Sequence, residues 1–203
     1  LYEDQKQGEK VKVTCTKSNE GFATAGGVQY VACAGNFKDA GLEYTGALKV
    51  LQMIFSYEYL WIQIRVKGGA YGCMCSFSDQ GDSMFVTYRD PNLSESYKVY
   101  DEAADYVADF DADDRDMKKY IIGTIGSMDM PMEAVDMGAR SFHAYFLGKT
   151  EADLQKVRDQ VLSCTQEDIR ALAPIVKAVV EAGNRCCIGN EEKIDQNKEY
   201  FDE

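Results

Sequence analysis

Histidine, tryptophan and proline are scarce in this sequence, which holds one, one and three of them among its 203 residues. A single histidine cannot supply the paired imidazoles of a His-x-x-Glu-His zinc site, so this chain cannot build that hydrolytic centre by itself. A run of about 18 apolar residues, the length that spans a bilayer, is also missing, and we expect no transmembrane helix.

Positive charge is in short supply as well. Acidic residues number 34 against 22 basic ones, which gives a net charge of −12. Nucleic acids and anionic membranes are both recognised by clustered Lys and Arg side chains. The composition therefore predicts that neither nucleic acid nor a membrane is a partner of this chain.

Cysteine occurs seven times, at scattered positions that suggest no disulfide framework. Most of these residues lie in apolar or strand-like surroundings, where a free thiol behaves as a small hydrophobic group. An odd, scattered set favours a reducing, cytoplasmic location. The spacings Cys73-Met74-Cys75 and Cys186-Cys187 lack the two-residue spacer of a zinc knuckle, so no metal site is predicted in this chain.

The length of the chain fits one domain with a core of ordinary size. Because the sequence begins at Leu1 rather than at methionine, we expect residues 1–203 to be one domain of a longer polypeptide. The polar segment 1–8 and the charged segment 190–203 are expected to be disordered tails.

The spacing of apolar residues predicts both strands and helices. Strand patterns occupy residues 11–15, 28–33, 70–77, 84–88 and 185–189, and residues 17–21 are predicted to form a turn. Helical patterns cover residues 45–57, 59–64, 94–109, 113–125, 131–146 and 165–182, and a further helix begins at Thr150. Thr150 and Thr165 each open a capping box, while Pro174 predicts a break in the last helix. This order predicts an α+β fold, a mostly antiparallel sheet with helices packed on it.

One segment concentrates glycine, charge and a phenol: Arg65-Val66-Lys67-Gly68-Gly69-Ala70-Tyr71-Gly72. Gly68 and Gly69 allow backbone conformations closed to other residues, and we call them the hinge. Arg65 and Tyr71 flank the hinge, and both side chains can donate hydrogen bonds to a peptide carbonyl. Alternation after the hinge predicts that Tyr71 shares a strand face with Cys73, Cys75 and Phe77.

This segment and its surroundings resemble the C-terminal domain of the presequence-protease and falcilysin branch of the pitrilysin/insulinase zinc metallopeptidases. The stretches that carry the resemblance span most of the chain in the family's order. They are 27–31, 34–36, 65–72, Tyr88-Arg89-Asp90-Pro91-Asn92-Leu93 and Ile122-Gly123-Thr124-Ile125-Gly126.

The resemblance implies the fold of mitochondrial-processing-peptidase-like metallohydrolase domains, with this chain as the fourth homologous domain of a larger peptidase. It implies that zinc is bound outside this chain, in an N-terminal half that closes with it around a chamber for short unstructured peptides. Arg65, Tyr71, Gly68 and Gly69 are then expected to bind substrate, and Tyr71 and Arg65 to support the transition state. By itself the chain is expected to hydrolyse nothing.

Two alternatives remain open at this point. One is a structural or interaction module that keeps the fold without a role in proteolysis. The other is an independent hydrolase in which Cys164 pairs with His143, the only histidine. A cysteine nucleophile needs a base within hydrogen-bond reach, and no family signature surrounds either residue. The acidic run from Asp109 to Asp114 lacks the EF-hand pattern, and we expect it to complement a helix dipole instead.

Overall fold

The computed structural model describes residues 18–202. Its strands are β1 (Glu20–Thr24), β2 (Tyr30–Asn36), β3 (Gly72–Phe77), β4 (Asp82–Tyr88) and β5 (Asn184–Asn190). Its α-helices are α1 (Ala47–Tyr57), α2 (Ser94–Asp101), α3 (Ala103–Ala108), α4 (Asp114–Met128), α5 (Ala134–Phe146), α6 (Glu151–Leu162), α7 (Gln166–Arg170), α8 (Ala173–Glu181) and α9 (Glu191–Asp195). A π-helical segment (Trp61–Lys67) precedes β3, and 3-10 turns occupy Phe37–Ala40 and Lys198–Tyr200.

The strands form one mixed sheet in the order β1-β5-β2-β4-β3. Three of its pairings are antiparallel, those of β2 with β4, β2 with β5 and β3 with β4. The remaining pairing, β1 with β5, is parallel. The predicted α+β class and the predicted β3–β4 hairpin are therefore confirmed, and β3 lies at one edge of the sheet.

The turn predicted at residues 17–21 is wrong in part, because Glu20 and Gly21 already belong to β1. This strand pairs with β5, which is more than 160 residues away along the chain, as in the register Glu20↔Cys186. A partner so distant leaves no mark on the local sequence pattern. The strand predicted at residues 11–15 and the tail predicted at 1–8 lie outside the described residues.

Most predicted helices are present with ends shifted by a few residues. The helix predicted over 94–109 is divided into α2 and α3 at Glu102. The break predicted at Pro174 is found between α7 and α8, where Pro174 occupies the first turn of α8. Both capping boxes form, with Thr150 and Thr165 each exchanging hydrogen bonds with the aspartate three residues later.

The segment from residue 190, predicted as a disordered tail, is instead folded up to the last described residue. Asn190 caps α9 by accepting a hydrogen bond from the Lys193 amide. The rings of Tyr200 and Phe201 pack against the buried Tyr97 at centroid distances of 4.9 and 6.4 Å. These aromatic contacts anchor a segment whose charge alone indicated disorder.

Helices cover one face of the sheet, and the core lies between them and the strands. Its centre is an aromatic cluster in which the Phe55 ring of α1 meets Phe85 of β4 at 5.8 Å and Phe77 of β3 at 6.5 Å. Phe85 also meets Tyr100 of α2 at 5.5 Å. The cluster therefore joins two helices to the β3–β4 hairpin.

No helix among residues 18–202 covers the opposite face of the sheet, and we call it the open face. Its large side chains are apolar or aromatic and remain exposed: Phe22, Tyr30, Met74, Met84, Tyr88 and Ile188. The register aligns Phe22, Ile188 and Tyr30 across β1, β5 and β2. The Tyr30 and Tyr88 rings meet edge to face at 5.4 Å, which extends this row to β4. One end of the open face is thus an aromatic and aliphatic strip.

Helix α5 is unusual in that none of its 13 residues is buried. Several of its exposed side chains are large and apolar, namely Val135, Met137, Phe142, Tyr145 and Phe146. Amphipathic helices are normally stabilised by packing one face on a core. The domain therefore presents two exposed apolar surfaces, α5 and the open face.

Phe85 tests the aromatic cluster. We expect Phe85→Ala to lower the free energy of unfolding by about 3–5 kcal/mol, because it opens a cavity among packed rings. Met84→Ala, one residue away on the open face, is the matched control and should cost less than about 1 kcal/mol. Urea denaturation of both variants measures the difference, and equal losses would contradict the assignment of the two faces.

Candidate functional site

The hinge is built by the end of the π-helical segment. The Gly68 amide donates to the carbonyl of Gln63 at 3.0 Å, and the Ala70 amide donates to that of Ile64 at 3.1 Å. Gly69 then takes a left-handed conformation with φ of +81°. Single π-helical turns are rare and occur often at functional sites. Together these features reverse the chain and deliver it to β3.

Arg65 and Tyr71 meet across this reversal. The Arg65 guanidinium donates a hydrogen bond to the backbone carbonyl of Tyr71. It also lies over two aromatic rings, 4.4 Å from the ring centre of Trp61 and 5.6 Å from that of Tyr71. Cations stack favourably on aromatic faces within about 6 Å. The structure therefore brings together the two donors that the sequence placed on either side of the hinge.

The Tyr71 side chain is 65% exposed, and its hydroxyl has no hydrogen-bond partner among residues 18–202. The prediction that it shares a face with Cys75 and Phe77 is wrong, since those two side chains are buried. The ladder of β3 begins only at Gly72, so residue 71 lies before the regular pleat. Its ring meets that of Tyr88 at 5.8 Å, so Tyr71 extends the aromatic strip of the open face.

The hinge carries more positive charge than the chain as a whole. Arg65 and Lys67 precede it, and the carbonyl of Arg89 accepts a hydrogen bond from the Tyr71 amide at 3.2 Å. None of these three cations forms a salt bridge with an acidic side chain in the described part of the chain. In a chain with a net charge of −12, the hinge thus lies in a local excess of positive charge.

The two hinge glycines are required for different reasons. A side chain at Gly69 has space but would hold a strained backbone, because φ is +81°. A Cβ at Gly68 would lie 2.5 Å from the Ile64 carbonyl oxygen, closer than such atoms approach. Gly69 therefore supplies conformational freedom, and Gly68 supplies room for a close backbone contact.

The Cys164–His143 alternative finds no support in the geometry. Cys164 is buried, and burial raises the pKa of its thiol to about 12. The thiol forms one hydrogen bond in the described chain, a weak one to the carbonyl of Thr165 at 3.7 Å. His143 is exposed on α5 and forms no hydrogen bond with Cys164. A nucleophilic cysteine needs the opposite, a lowered pKa and an adjacent base.

The acidic run forms part of a helix start, and residues of types that could ligate a metal do not cluster in the described chain. Asp113 accepts hydrogen bonds from the amides of Arg115 and Asp116, so it caps α4. The acidic run therefore lies at a helix start, as the sequence predicted. Over residues 18–202, His, Cys, Asp and Glu side chains form no group of three or more that could hold a metal. In the same range, no helix combines the length and the apolar character needed to cross a bilayer.

Solved structures first define the class of this domain. It superposes on the peptidase M16 inactive domain from Pseudomonas fluorescens with a TM-score of 0.61 and 14% identity, covering 89% of this chain and 46% of that one. A protease from Helicobacter pylori gives a TM-score of 0.59 and 14% identity, with 85% and 44% covered. At this identity the likeness shows the fold, that of an M16 inactive domain.

Sequence comparison then shows the family: the chain belongs to the PreP C-terminal domain family, whose model matches residues 19–190. It is 44% identical to Protein HypA of Clostridium perfringens over 91% of this chain and 19% of that protein. It is 34% identical to presequence protease 1, chloroplastic/mitochondrial, of Arabidopsis thaliana over 87% of this chain and 16% of that protein. The chain thus spans less than a fifth of the length of these relatives.

Reasoning from the sequence left some neighbours of the site without a role. The local pattern predicts no role for Tyr30 or Tyr88, yet their rings continue the surface of Tyr71. It also predicts none for Trp61, the single tryptophan, which stacks on Arg65. The helix predicted over 59–64 ends one residue before Arg65, and extending it by one turn would have placed Trp61 and Arg65 on the same face, four residues apart.

Gly69→Ala tests the left-handed hinge. We expect a loss of about 1–2 kcal/mol in the free energy of unfolding, because a Cβ disfavours positive φ. Gly138→Ala is the control, since Gly138 lies exposed inside α5 with open space around it. In a helix this change should stabilise by about 0.5–1 kcal/mol. Chemical denaturation measures both, and a neutral Gly69→Ala would contradict the assigned backbone.

Thiol reactivity tests the state of Cys164. Burial raises the pKa of both Cys164 and Cys186, but Cys186 is partly exposed. We expect iodoacetamide at pH 8 to alkylate Cys186 well before Cys164, because the thiolate is the reacting form and must be accessible. Peptide mapping by mass spectrometry measures the order. Rapid modification of Cys164 in the folded chain would restore the hydrolase alternative.

Proposed function

We propose that this chain is the non-catalytic C-terminal domain of a zinc metallopeptidase that degrades short unstructured peptides. In this proposal the domain closes the peptide chamber and contacts the substrate through Arg65 and Tyr71, with Gly68 and Gly69 allowing close backbone approach. The zinc is held outside this chain, in an N-terminal half of the same enzyme. We place the enzyme in the cytoplasm, on the basis of its seven scattered cysteines.

One observation carries the proposal: the Arg65–Tyr71 pair lies at the end of an exposed aromatic strip. Tyr71 meets Tyr88 at 5.8 Å, and Tyr88 meets Tyr30 at 5.4 Å. The strip offers apolar surface to peptide side chains, and the pair offers hydrogen-bond donors to a peptide carbonyl. Binding sites commonly combine mostly apolar walls with a few well-placed polar groups.

The donors suit the charge that develops in peptide hydrolysis. Bound zinc supplies Lewis-acid chemistry and an activated water in peptidases of this kind. The Tyr71 hydroxyl lacks a partner in the described chain, and Arg65 uses only part of its fork of donors on the Tyr71 carbonyl. Both side chains can therefore donate to the oxygen of a scissile carbonyl, where one donor is worth about 3–4 kcal/mol in the transition state.

Closure of the two halves explains how donors on this domain serve a centre located elsewhere. A domain that contributes only two hydrogen-bond donors can act on the scissile carbonyl only after it docks on the half that carries the zinc. Such closure also excludes water from the reacting groups. Tyr71 is 65% exposed in this chain, so its side chain is accessible to a domain that docks there.

Tyr71→Phe in the full-length polypeptide tests the proposal. We expect kcat for a short unstructured peptide to fall about 100-fold, with a smaller change in KM, because the hydroxyl acts on the transition state. Tyr57→Phe is the matched control, since Tyr57 is also 65% exposed but lies at the end of α1.

The pattern of the two kinetic constants separates the alternatives. A raised KM with unaltered kcat would leave Tyr71 a simple binding residue. If neither Tyr71→Phe nor Arg65→Ala changes either constant, the domain contributes only structure or interaction, and the proposal is wrong.

A further inference from the structure

The loop that follows β4 reaches back to the hinge. Arg89 has a φ of +50° and is the only non-glycine residue with positive φ among residues 18–202. Strained residues of this type persist only where surrounding contacts fix them, and they are frequent near functional sites. The Arg89 carbonyl accepts a hydrogen bond from the Tyr71 amide at 3.2 Å, so the strained residue contacts Tyr71, which flanks the hinge.

Asp90, the next residue, is completely buried and bound on several sides. Its carboxylate accepts from the Asn92 amide at 2.9 Å and from the Ser96 hydroxyl at 2.6 Å. Burial raises the pKa of this carboxyl, while the hydrogen bonds from Ser96, Asn92 and Thr87 oppose that rise. Buried carboxylates need such donors, and the set fixes the turn from β4 into α2.

Gln29, also completely buried, connects this turn to the centre of the sheet. Its side-chain amide donates to the carbonyls of Asp90 and Pro91 at 3.2 and 3.3 Å. Its side-chain carbonyl accepts from the Asn190 amide at 2.9 Å, at the end of β5. The backbones of Gln29 and Asp90 also exchange hydrogen bonds at 2.7 and 2.8 Å. The turn is therefore held by three strands.

Asn92 completes the connection to the hinge. Its side-chain amide donates to the carbonyl of Gly68 at 2.6 Å. This is the only side-chain hydrogen bond to either hinge glycine in the described chain. Glycine has the greatest backbone freedom of any residue, so this contact from outside the segment adds to the backbone hydrogen bonds that hold one conformation there.

We propose that Asn92 is a positioning residue for Arg65 and Tyr71, and that the buried Gln29–Asp90 pair holds it in place. The Asn92 side chain donates a hydrogen bond to the Gly68 carbonyl, and the Arg89 carbonyl accepts one from the Tyr71 amide. Gly68 and Tyr71 are therefore both bonded to the turn that follows β4. The consequence for catalysis rests on the function proposed above. The hydrogen bonds from this turn to Gly68 and Tyr71 are present in this chain independently of that function.

Asn92→Ala in the full-length polypeptide tests the inference with two readouts. The amides of Gly68, Gly69, Ala70 and Tyr71 are all hydrogen-bonded, so their hydrogen exchange reports opening of the hinge. We expect exchange of these amides to accelerate about tenfold on loss of one hydrogen bond. We expect kcat to fall by about 10- to 100-fold with little change in KM, because small misplacement of donors is costly.

Asn197→Ala is the matched control. It removes the same type of bond, from an asparagine amide to the Lys193 carbonyl at 2.8 Å, far along the chain from the hinge. It should leave hinge exchange and turnover unchanged. If Asn92→Ala does not fold, Asn92→Ser provides a second variant, since serine also suits turns, adds no charge beside Asp90 and lacks the side-chain amide that makes this bond.

The outcomes separate this inference from the proposed function. Unchanged hinge exchange in a folded Asn92 variant would overturn it. The inference would also be overturned if an Asn92 variant showed faster hinge exchange but full turnover, in an assay in which Tyr71→Phe lowers turnover. If neither Tyr71→Phe nor Arg65→Ala changes kcat or KM, the proposed function fails, and the exchange rates alone decide whether Asn92 holds the hinge.

Discussion

Over residues 18–202, helices bury one face of the sheet and none covers the other, and the remaining features of the described domain depend on this asymmetry. The buried face is closed by rings, with Phe55 of α1 against Phe85 and Phe77 of the β3–β4 hairpin. That contact fixes the hairpin, and with it the edge of the sheet where the hinge lies. Because side chains alternate along a strand, the same packing directs Tyr88 and Met84 outward.

Two backbone segments then place Arg65 and Tyr71 at this edge of the sheet. The π-helical segment ends in a left-handed glycine, which turns the Arg65 guanidinium toward the carbonyl of Tyr71. The turn after β4, which is fixed by the hydrogen bonds of Asp90, holds the hinge through the bond from Asn92 to the Gly68 carbonyl. The site is therefore made of flexible residues held by rigid neighbours, which is how exposed donors keep a defined position without burial.

The described residues carry exposed donors beside the hinge and do not assemble the Cys164–His143 pair. The donors are exposed, the buried thiol at Cys164 is protonated, and His143 stands apart on α5. The exposed apolar side chains of α5 and of the open face are unusual for a monomer on its own. Both features agree with a chain that covers less than a fifth of its longer relatives.

The sequence by itself determined the α+β class, the β3–β4 hairpin, the break at Pro174 and the identity of the hinge motif, because each depends on local periodicity, capping or backbone chemistry. Tertiary structure alone decided the rest. β1 exists through a parallel partner far along the chain, and the charged segment after Asn190 is ordered by rings that pack on Tyr97. The outward direction of Tyr71 and the grip of Asn92 on Gly68 also arise only when distant segments meet, since neither contact is encoded in local spacing.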